Sequence, residues 1–343
     1  MSQKDLPPVI DLHEDISGYY MMHGGGLPLG DFNEDILGRD ADLPKYRKSN
    51  VRCIFASVFP GIESYSYEES KGLKELYGKW LPAIKYRVPQ TVIWEHFTIY
   101  YKLMEAYGIK LVENFSDLER CIKGEGLCFI LHLEGAEPID DPYDLVLLKR
   151  MGLRSLGLTW NYTNKYATGC AARKDVGLTS EGEDLIKMAN KLGIVIDLAH
   201  SSKRTALDAL QVSKKPVIIS HANVKAIVDK KRNIDDEVLE LIYKSGGLIG
   251  ISVIGVLVSN APKPTLDDLA KHFTYIKESF SVDILAIGTD FLGLLGLPSP
   301  ESLDNIGKLS LLYSKLLEKG FTEGDIQKIT HLNALRVLKH HLD

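Results

Sequence analysis

The chain has 343 residues, 45% of them hydrophobic and 25% charged, with a formal net charge of −5. This is the balance of a globular protein, not of a disordered or fibrous one, and it leaves no basic footprint for nucleic acid. No break in composition divides the sequence, so residues 1–343 are expected to form a single domain of barrel size.

Met1-Ser2-Gln3-Lys4-Asp5 carries no apolar signal region, and a strand-like run over residues 8–13 follows at once. A glycine turn, Gly24-Gly25-Gly26, comes next. The second run covers 51–59. The stretch 60–125 holds Trp80, Trp94 and many tyrosines, and reads as helices over 66–85 and 91–112. Further runs lie at 127–133, 155–160, 194–199, 216–220, 247–254 and 284–289. All are rich in Val, Ile, Leu and Phe without strict alternation, which is the pattern of strands buried on both faces of a parallel sheet. Helical spacing appears between them. Residues 181–192 follow a Thr179-Ser180 cap, 202–210 form a second helix, and 235–245 stop at Gly246-Gly247. A helix over 323–339 closes the chain. The end, His340-His341-Leu342-Asp343, is no hydrophobic anchor, and no stretch reaches transmembrane length. A cytoplasmic protein without a membrane anchor is therefore expected. Cys53, Cys121, Cys128 and Cys170 contain no CxxC pair and read as buried free thiols.

Alternating strands and helices imply right-handed crossovers and a parallel sheet; eight such units imply a (β/α)8 barrel. In that fold the active site lies at the C-terminal ends of the strands. Five of the runs end on metal-binding residue types: His13 and Asp15, Glu134, His200, His221, and Asp290. His13 and Asp15 are two apart and share a face of a strand. Neighbouring parallel strands lie about 4.8 Å apart, close enough for His200 and His221 to grip one ion. Glu134 offers two oxygens and is able to bridge. Mixed nitrogen and carboxylate donors suit Zn2+, with Co2+ or Mn2+ also admissible. Two ions sharing a water lower its pKa, and the resulting hydroxide attacks a carbonyl. Asp290 is placed to move the proton to the leaving nitrogen. Arg232, in Lys230-Lys231-Arg232-Asn233, is able to hold a substrate carboxylate. Read singly, each strand-end histidine is more often structural and Arg232 a solvated surface charge; the five together point to a metal site. His132 reads as a core residue or a support behind the ligands, Asp11 as a support for a ligand histidine, and His23 as a group near substrate. No glycine-rich phosphate loop and no Gly-x-Ser-x-Gly elbow occurs, which argues against nucleotide and serine-hydrolase chemistry.

The ordered segments Ile10-Asp11-Leu12-His13-Glu14-Asp15, Leu133-Glu134-Gly135-Ala136, Leu158-Thr159-Trp160-Asn161, Val195-Ile196-Asp197-Leu198-Ala199-His200, Val217-Ile218-Ile219-Ser220-His221, Arg232-Asn233 and Ile287-Gly288-Thr289-Asp290-Phe291 resemble the membrane dipeptidase family of zinc peptidases. The resemblance runs almost the whole chain. It implies an amidohydrolase-like barrel with two Zn2+ per chain. His13 and Asp15 would bind one ion, His200 and His221 the other, and Glu134 both. It also implies Arg232 on the substrate carboxylate, Asp290 as acid/base, cleavage of small dipeptides including those with a C-terminal D-residue, and a homodimer. Trp160 replaces a family histidine thought to steady the oxyanion, and becomes a candidate substrate contact. Ile254 stands where a family tyrosine approaches the substrate carboxylate. Those two changes motivate an alternative: a metal-dependent amidohydrolase acting on an acyl-amino acid, a lactam or a cyclic amide.

Overall fold

Eight parallel strands close on themselves in the computed structural model of the protein, which describes residues 6–60, 74–76, 78 and 89–343. They are β1 (Val9–Glu14), β2 (Val51–Val58), β4 (Cys128–Leu133), β5 (Leu153–Gly157), β6 (Val195–Asp197), β7 (Ile218–Ala222), β8 (Leu248–Ile251) and β9 (Leu285–Ile287). Their order round the ring is β1-β2-β4-β5-β6-β7-β8-β9, and β9 pairs with β1 to close it. This is the expected (β/α)8 barrel. A ninth strand, β3 (Lys110–Leu111), lies outside the ring beside Cys128 and Phe129 of β4.

Alternation sorts the apolar side chains into two sets. Val9, Ile54, Phe129, Leu131 and Ile219 face outward into a core shared with the helices. Ile10, Leu12, Cys53, Phe55, Cys128, Ile130, Val195, Ile218 and Leu248 fill the interior. The interior set continues into Ala334, Val337, Leu338 and Leu342, so the last helix plugs the end of the barrel opposite the site. All four cysteines are free and buried, as the sequence implied.

The helices start and stop where capping chemistry dictates. Thr179 accepts from the Gly182 amide to open Ser180–Leu192, and Gly193, at φ 72°, closes it. Ser202 opens Lys203–Val212 in the same way. The helix expected over 91–112 is Pro89–Tyr107, because Gly108 adopts φ 67° and ends it; the following residues pair as β3. The helix expected over 66–85 falls largely outside the described residues. The closing helix runs further than expected, from Glu323 to Leu342, with a π-turn over Lys328–Leu332. Just beyond that turn, the side-chain Nδ2 of Asn333 donates to the carbonyls of Val282 and Leu285, both at 2.8 Å, pinning the entry of β9. The fourth expected strand, 155–160, is shifted to Leu153–Gly157. Beyond Gly157 the chain turns across the mouth, although the Leu158 amide still reaches the Asp197 carbonyl.

Candidate metal centre

Every residue of the site lies at or just past the C-terminal end of a strand. A register shift between Asp11 and Glu14 brings His13 over the mouth while Glu14 turns outward to accept from the Tyr46 hydroxyl. Asp15 is the first residue beyond β1, and its amide donates to the Phe291 carbonyl. Glu134 follows β4 and is anchored by its own amide on the Val58 carbonyl at 3.1 Å. His200 and Asp290 sit in left-handed backbone, at φ 64° and 66°. Such a conformation costs about 1 kcal/mol or more for a residue with a side chain and clusters at functional sites.

The side chains converge. His13 Nε2 lies 3.5 Å from Asp15 Oδ2, 3.6 Å from Glu134 Oε2 and 3.9 Å from Asp290 Oδ1. His200 Nε2 is 3.1 Å from Glu134 Oε1 and His221 Nε2 is 3.7 Å from the same oxygen. His221 Nε2 is also 4.0 Å from Asp290 Oδ2. The His13 and His221 rings stack at 3.8 Å. All six groups named from the strand ends are therefore in one cluster, and all but Asp15 are buried.

The donor set fits divalent ions. Both ring nitrogens of fully buried His13 lack a hydrogen-bond partner among the described residues, an expensive state unless a further group satisfies them. Two sets of donors lie close enough to share an ion: His13, Glu134 and His221, and His13, Asp15 and Asp290. Gly293 stands against them. A Cβ there would come within 2.1 Å of Asp15 Oδ2 and 2.5 Å of Asp290 Oδ1, so only glycine lets this backbone approach the carboxylates.

The protonation pattern follows from burial and from the crowding of acids. Burial opposes a charge on His13, yet Glu134, Asp15 and Asp290 outweigh it and push its pKa up to about 10. Burial carries the Glu134 carboxyl well above the usual range. It raises Asp290 to about 7, with Asp15 and Asp11 adding to the effect and His13 and Arg232 opposing it. Burial, reinforced by Arg232 and His13, keeps His200 and His221 neutral.

A second layer of residues orients the histidines. His200 Nδ1 pairs with Asn161 Oδ1 at 2.8 Å, and the Cys170 thiol donates to that same oxygen at 3.2 Å. Ser220 Oγ donates to Asp197 Oδ2 at 2.5 Å, and so accepts from His221 Nδ1 at 2.8 Å. Both arrangements leave Nε2 as the free lone pair. Ser57 Oγ donates to Glu134 Oε2 at 3.1 Å. No sequence motif by itself gives Asn161, Ser220 or Ser57 a role. The signal was adjacency: Ser220 precedes His221, and Asn161 follows Trp160.

Other expectations resolve individually. His132 lies behind the cluster, with Nδ1 on Ser155 Oγ at 2.9 Å, Nε2 3.3 Å from Asp197 Oδ2 and its ring edge-on to His13. Asp11 supports His13 through the backbone: Oδ1 accepts from the amides of His13 and Thr289, and Oδ2 from the Thr289 hydroxyl. His23 is exposed and does not line the pocket over the cluster. Arg232 is no surface charge, being only 1% exposed. Its Nη2 donates to the His221 carbonyl at 2.7 Å, while Nε and Nη1 are buried without partners among the described residues. Trp160 lines the pocket with its ring 5.8 Å from that of His200.

A closed parallel barrel with clustered imidazoles and carboxylates at its C-terminal mouth defines the class: an amidohydrolase-like, metal-dependent hydrolase. The chain belongs to the membrane dipeptidase family (peptidase family M19), whose model matches residues 4–342, and it is a hydrolase acting on dipeptides. It is 30% identical over 249 residues to the dipeptidase verJ of Clonostachys rogersoniana; that match covers 71% of this chain but 63% of the relative. An uncharacterized dipeptidase of Schizosaccharomyces pombe, C965.12, is 28% identical over 351 residues, or 96% of this chain and 80% of the relative. A metallo peptidase from Rhodobacter sphaeroides, solved with a phosphinate mimic of L-Ala-D-Ala, shares the fold with a TM-score of 0.82 at 22% identity. That superposition covers 98% of this chain and 100% of the other. Among the described residues no helix is long and apolar enough to cross a membrane.

Proposed function

We propose that the protein cleaves the amide bond of dipeptides at a binuclear site. In it, His13 and Asp15 hold one divalent ion, His200 and His221 the other, and Glu134 both. One observation carries this reading: the two oxygens of Glu134 face different imidazoles. Oε2 lies 3.6 Å from His13, while Oε1 lies 3.1 Å from His200 and 3.7 Å from His221. A carboxylate so placed is in the posture of a bridge. When bound, such an ion pair supplies Lewis acidity toward the substrate carbonyl and a lowered pKa for water. Zn2+ suits the donors, and Co2+ or Mn2+ would also be accepted.

The chain's own residues do the rest. Arg232, buried and with Nε and Nη1 unpartnered, offers two N–H groups to the substrate's terminal carboxylate. Holding that end fixes the scissile carbonyl over the cluster. Asp290 accepts a proton from the attacking water and returns it to the amide nitrogen as the C–N bond breaks; the products are two amino acids. Burial, which raises its pKa, and the bound cations, which lower it, act in opposite directions on this carboxyl, so that it can both take up and give back the proton. Because Arg232 grips only the carboxylate, a D-residue at the C-terminal position is accommodated.

Turnover of L,L- and L,D-dipeptides by zinc-, cobalt- or manganese-loaded protein tests the reading. Hydrolysis of at least one series is expected; no turnover of any dipeptide would overturn it. Trp160 and Ile254, both in the pocket lining, favour a second reading, an acyl-amino acid or cyclic amide as substrate. Acyl-amino acids turning over orders of magnitude faster than dipeptides would establish that alternative instead.

A further inference from the structure

The pocket above the cluster is made almost wholly of hydrocarbon. Apart from His200, Gly18, Gly293 and the acids of the cluster, it is lined by Met22, Phe59, Trp160, Ile254, Leu295 and Leu297. These come from the loops after β1, β2, β5, β8 and β9, so the apolar wall encircles the reacting centre. Phe59 and Trp160 pack with ring centroids 5.3 Å apart. The opposite wall is held rigidly. Ile254 opens a short helix, Gly255–Val258, whose first amide donates to the Pro298 carbonyl at 2.7 Å, tying it to the loop that carries Leu295 and Leu297.

That loop is built against backbone preference. Asp290, Leu292 and Leu295 all adopt left-handed φ, at 66°, 64° and 50°. Leucine visits this region at a cost that surrounding structure must outweigh, and such residues concentrate where side chains are aimed for function. Here the result is Leu295 and Leu297 directed over the ligands. Among the described lining residues the only carboxylates are Asp15, Glu134 and Asp290, all of them committed to the cluster, and there is no lysine or arginine; Arg232, which the proposed reading commits to the substrate's terminal carboxylate, is not among them. A charged substrate side chain entering this pocket would lose water and meet no partner.

We infer that this protein selects dipeptides whose pocket-facing side chain is apolar, and that Trp160, Ile254 and Leu297 set that preference. The inference rests on the dipeptidase reading above and adds a substrate class to it. The pocket discriminates by chemistry between side chains of similar shape, taking leucine over aspartate and methionine over lysine.

The test is kcat/KM of the zinc-loaded protein on two series, Xaa-Gly and Gly-Xaa, with Leu, Asp, Met and Lys as Xaa. In the series whose variable side chain enters the pocket, Leu exceeds Asp and Met exceeds Lys by about 100-fold or more. Leu297→Asn and Ile254→Asn each reduce the Leu-to-Asp ratio by about 10-fold or more, while Leu297→Met retains it. Hydrolysis without apolar preference in either series overturns the inference and leaves the dipeptidase reading standing. Absence of hydrolysis in both series, with acyl-amino acids cleaved instead, overturns both.

Discussion

The Nε2 atoms of His200 and His221 lie 2.9 Å apart. On each ring the other nitrogen is already committed, His200 Nδ1 to Asn161 Oδ1 and His221 Nδ1 to Ser220 Oγ. Both rings are held neutral by burial. Two lone pairs thus face the same small volume, an arrangement that repels unless a cation lies against both. The pairing is intelligible as half of a metal site and is hard to account for as core packing.

The anchoring hydrogen bonds lead to a first prediction. Ser220→Ala removes the acceptor of the His221 Nδ1–H and cuts the link to Asp197. Metal affinity is expected to fall by about 10- to 100-fold, the usual effect of losing such a support. Chelator competition measures it directly. Unchanged affinity would mean that packing alone orients the ring.

Among the described residues, Glu134 is the one carboxylate that faces all three cluster histidines. Glu134→Gln keeps its shape but removes its charge. Metal content measured by elemental analysis is expected to drop below about one ion per chain, from about two in the parent, with loss of hydrolysis. A variant that retains both ions refutes the bridging role.

Asp290 lies 3.9 Å from His13 and 4.0 Å from His221, more distant than Asp15 or Glu134 from their nearest histidines. In the proposed reading that place belongs to the proton carrier. Asp290→Asn is expected to lower kcat by about 10²- to 10⁴-fold while metal content is retained. Asp290 must be ionised to accept a proton, so activity rises with pH through its pKa. Bound cations lower that pKa below its metal-free value of about 7. The acidic limb of the rate profile should therefore lie below pH 7 and vanish in Asp290→Asn.

Loading the site should expel protons. Without an ion His13, with its pKa pushed up to about 10, is protonated at pH 7, and the Glu134 carboxyl is raised as well. Ligation requires both groups deprotonated. Calorimetric titration with zinc in buffers of different ionisation enthalpy should show release of about one proton or more at pH 7. Affinity should weaken as pH falls. Zinc heats independent of the buffer would contradict this protonation pattern.

His272 acts as a structural residue. Its Nδ1 accepts from the Val224 amide at 3.0 Å, and Nε2 donates to the Val258 carbonyl at 3.0 Å. Burial lowers its pKa to about 4. The unfolded chain takes up a proton near pH 6.5 and the folded one only near pH 4, so stability falls as pH drops through that interval. Between pH 7 and pH 5 the loss from this group is about 2 kcal/mol. Denaturant unfolding of His272→Gln should show a correspondingly shallower pH dependence than the parent.

The barrel was legible because its strands are buried on both faces, which writes them as apolar runs such as Ile194-Val195-Ile196 and Pro216-Val217-Ile218-Ile219. The cluster was legible because five of those runs stop on ligand-type residues. Strand ends were less so: apolar residues continue past Gly157 and Ile251 for packing reasons unrelated to the ladder. The helix boundary at Gly108 depended on one left-handed residue. The π-turn at Lys328–Leu332 leaves no mark on hydrophobic periodicity. Ser220, Asn161 and Ser57 stayed hidden because a hydroxyl or amide beside a ligand reveals its partner only once strands distant in sequence are neighbours.

The left-handed backbone at His200 and Asp290 sets endurance against chemistry. Glycine would relieve that conformation at either position and would delete an imidazole or a carboxylate from the reacting centre. Selection of variants for heat resistance alone, blind to turnover, should therefore drift toward glycine at these two sites and yield sturdier but inert barrels.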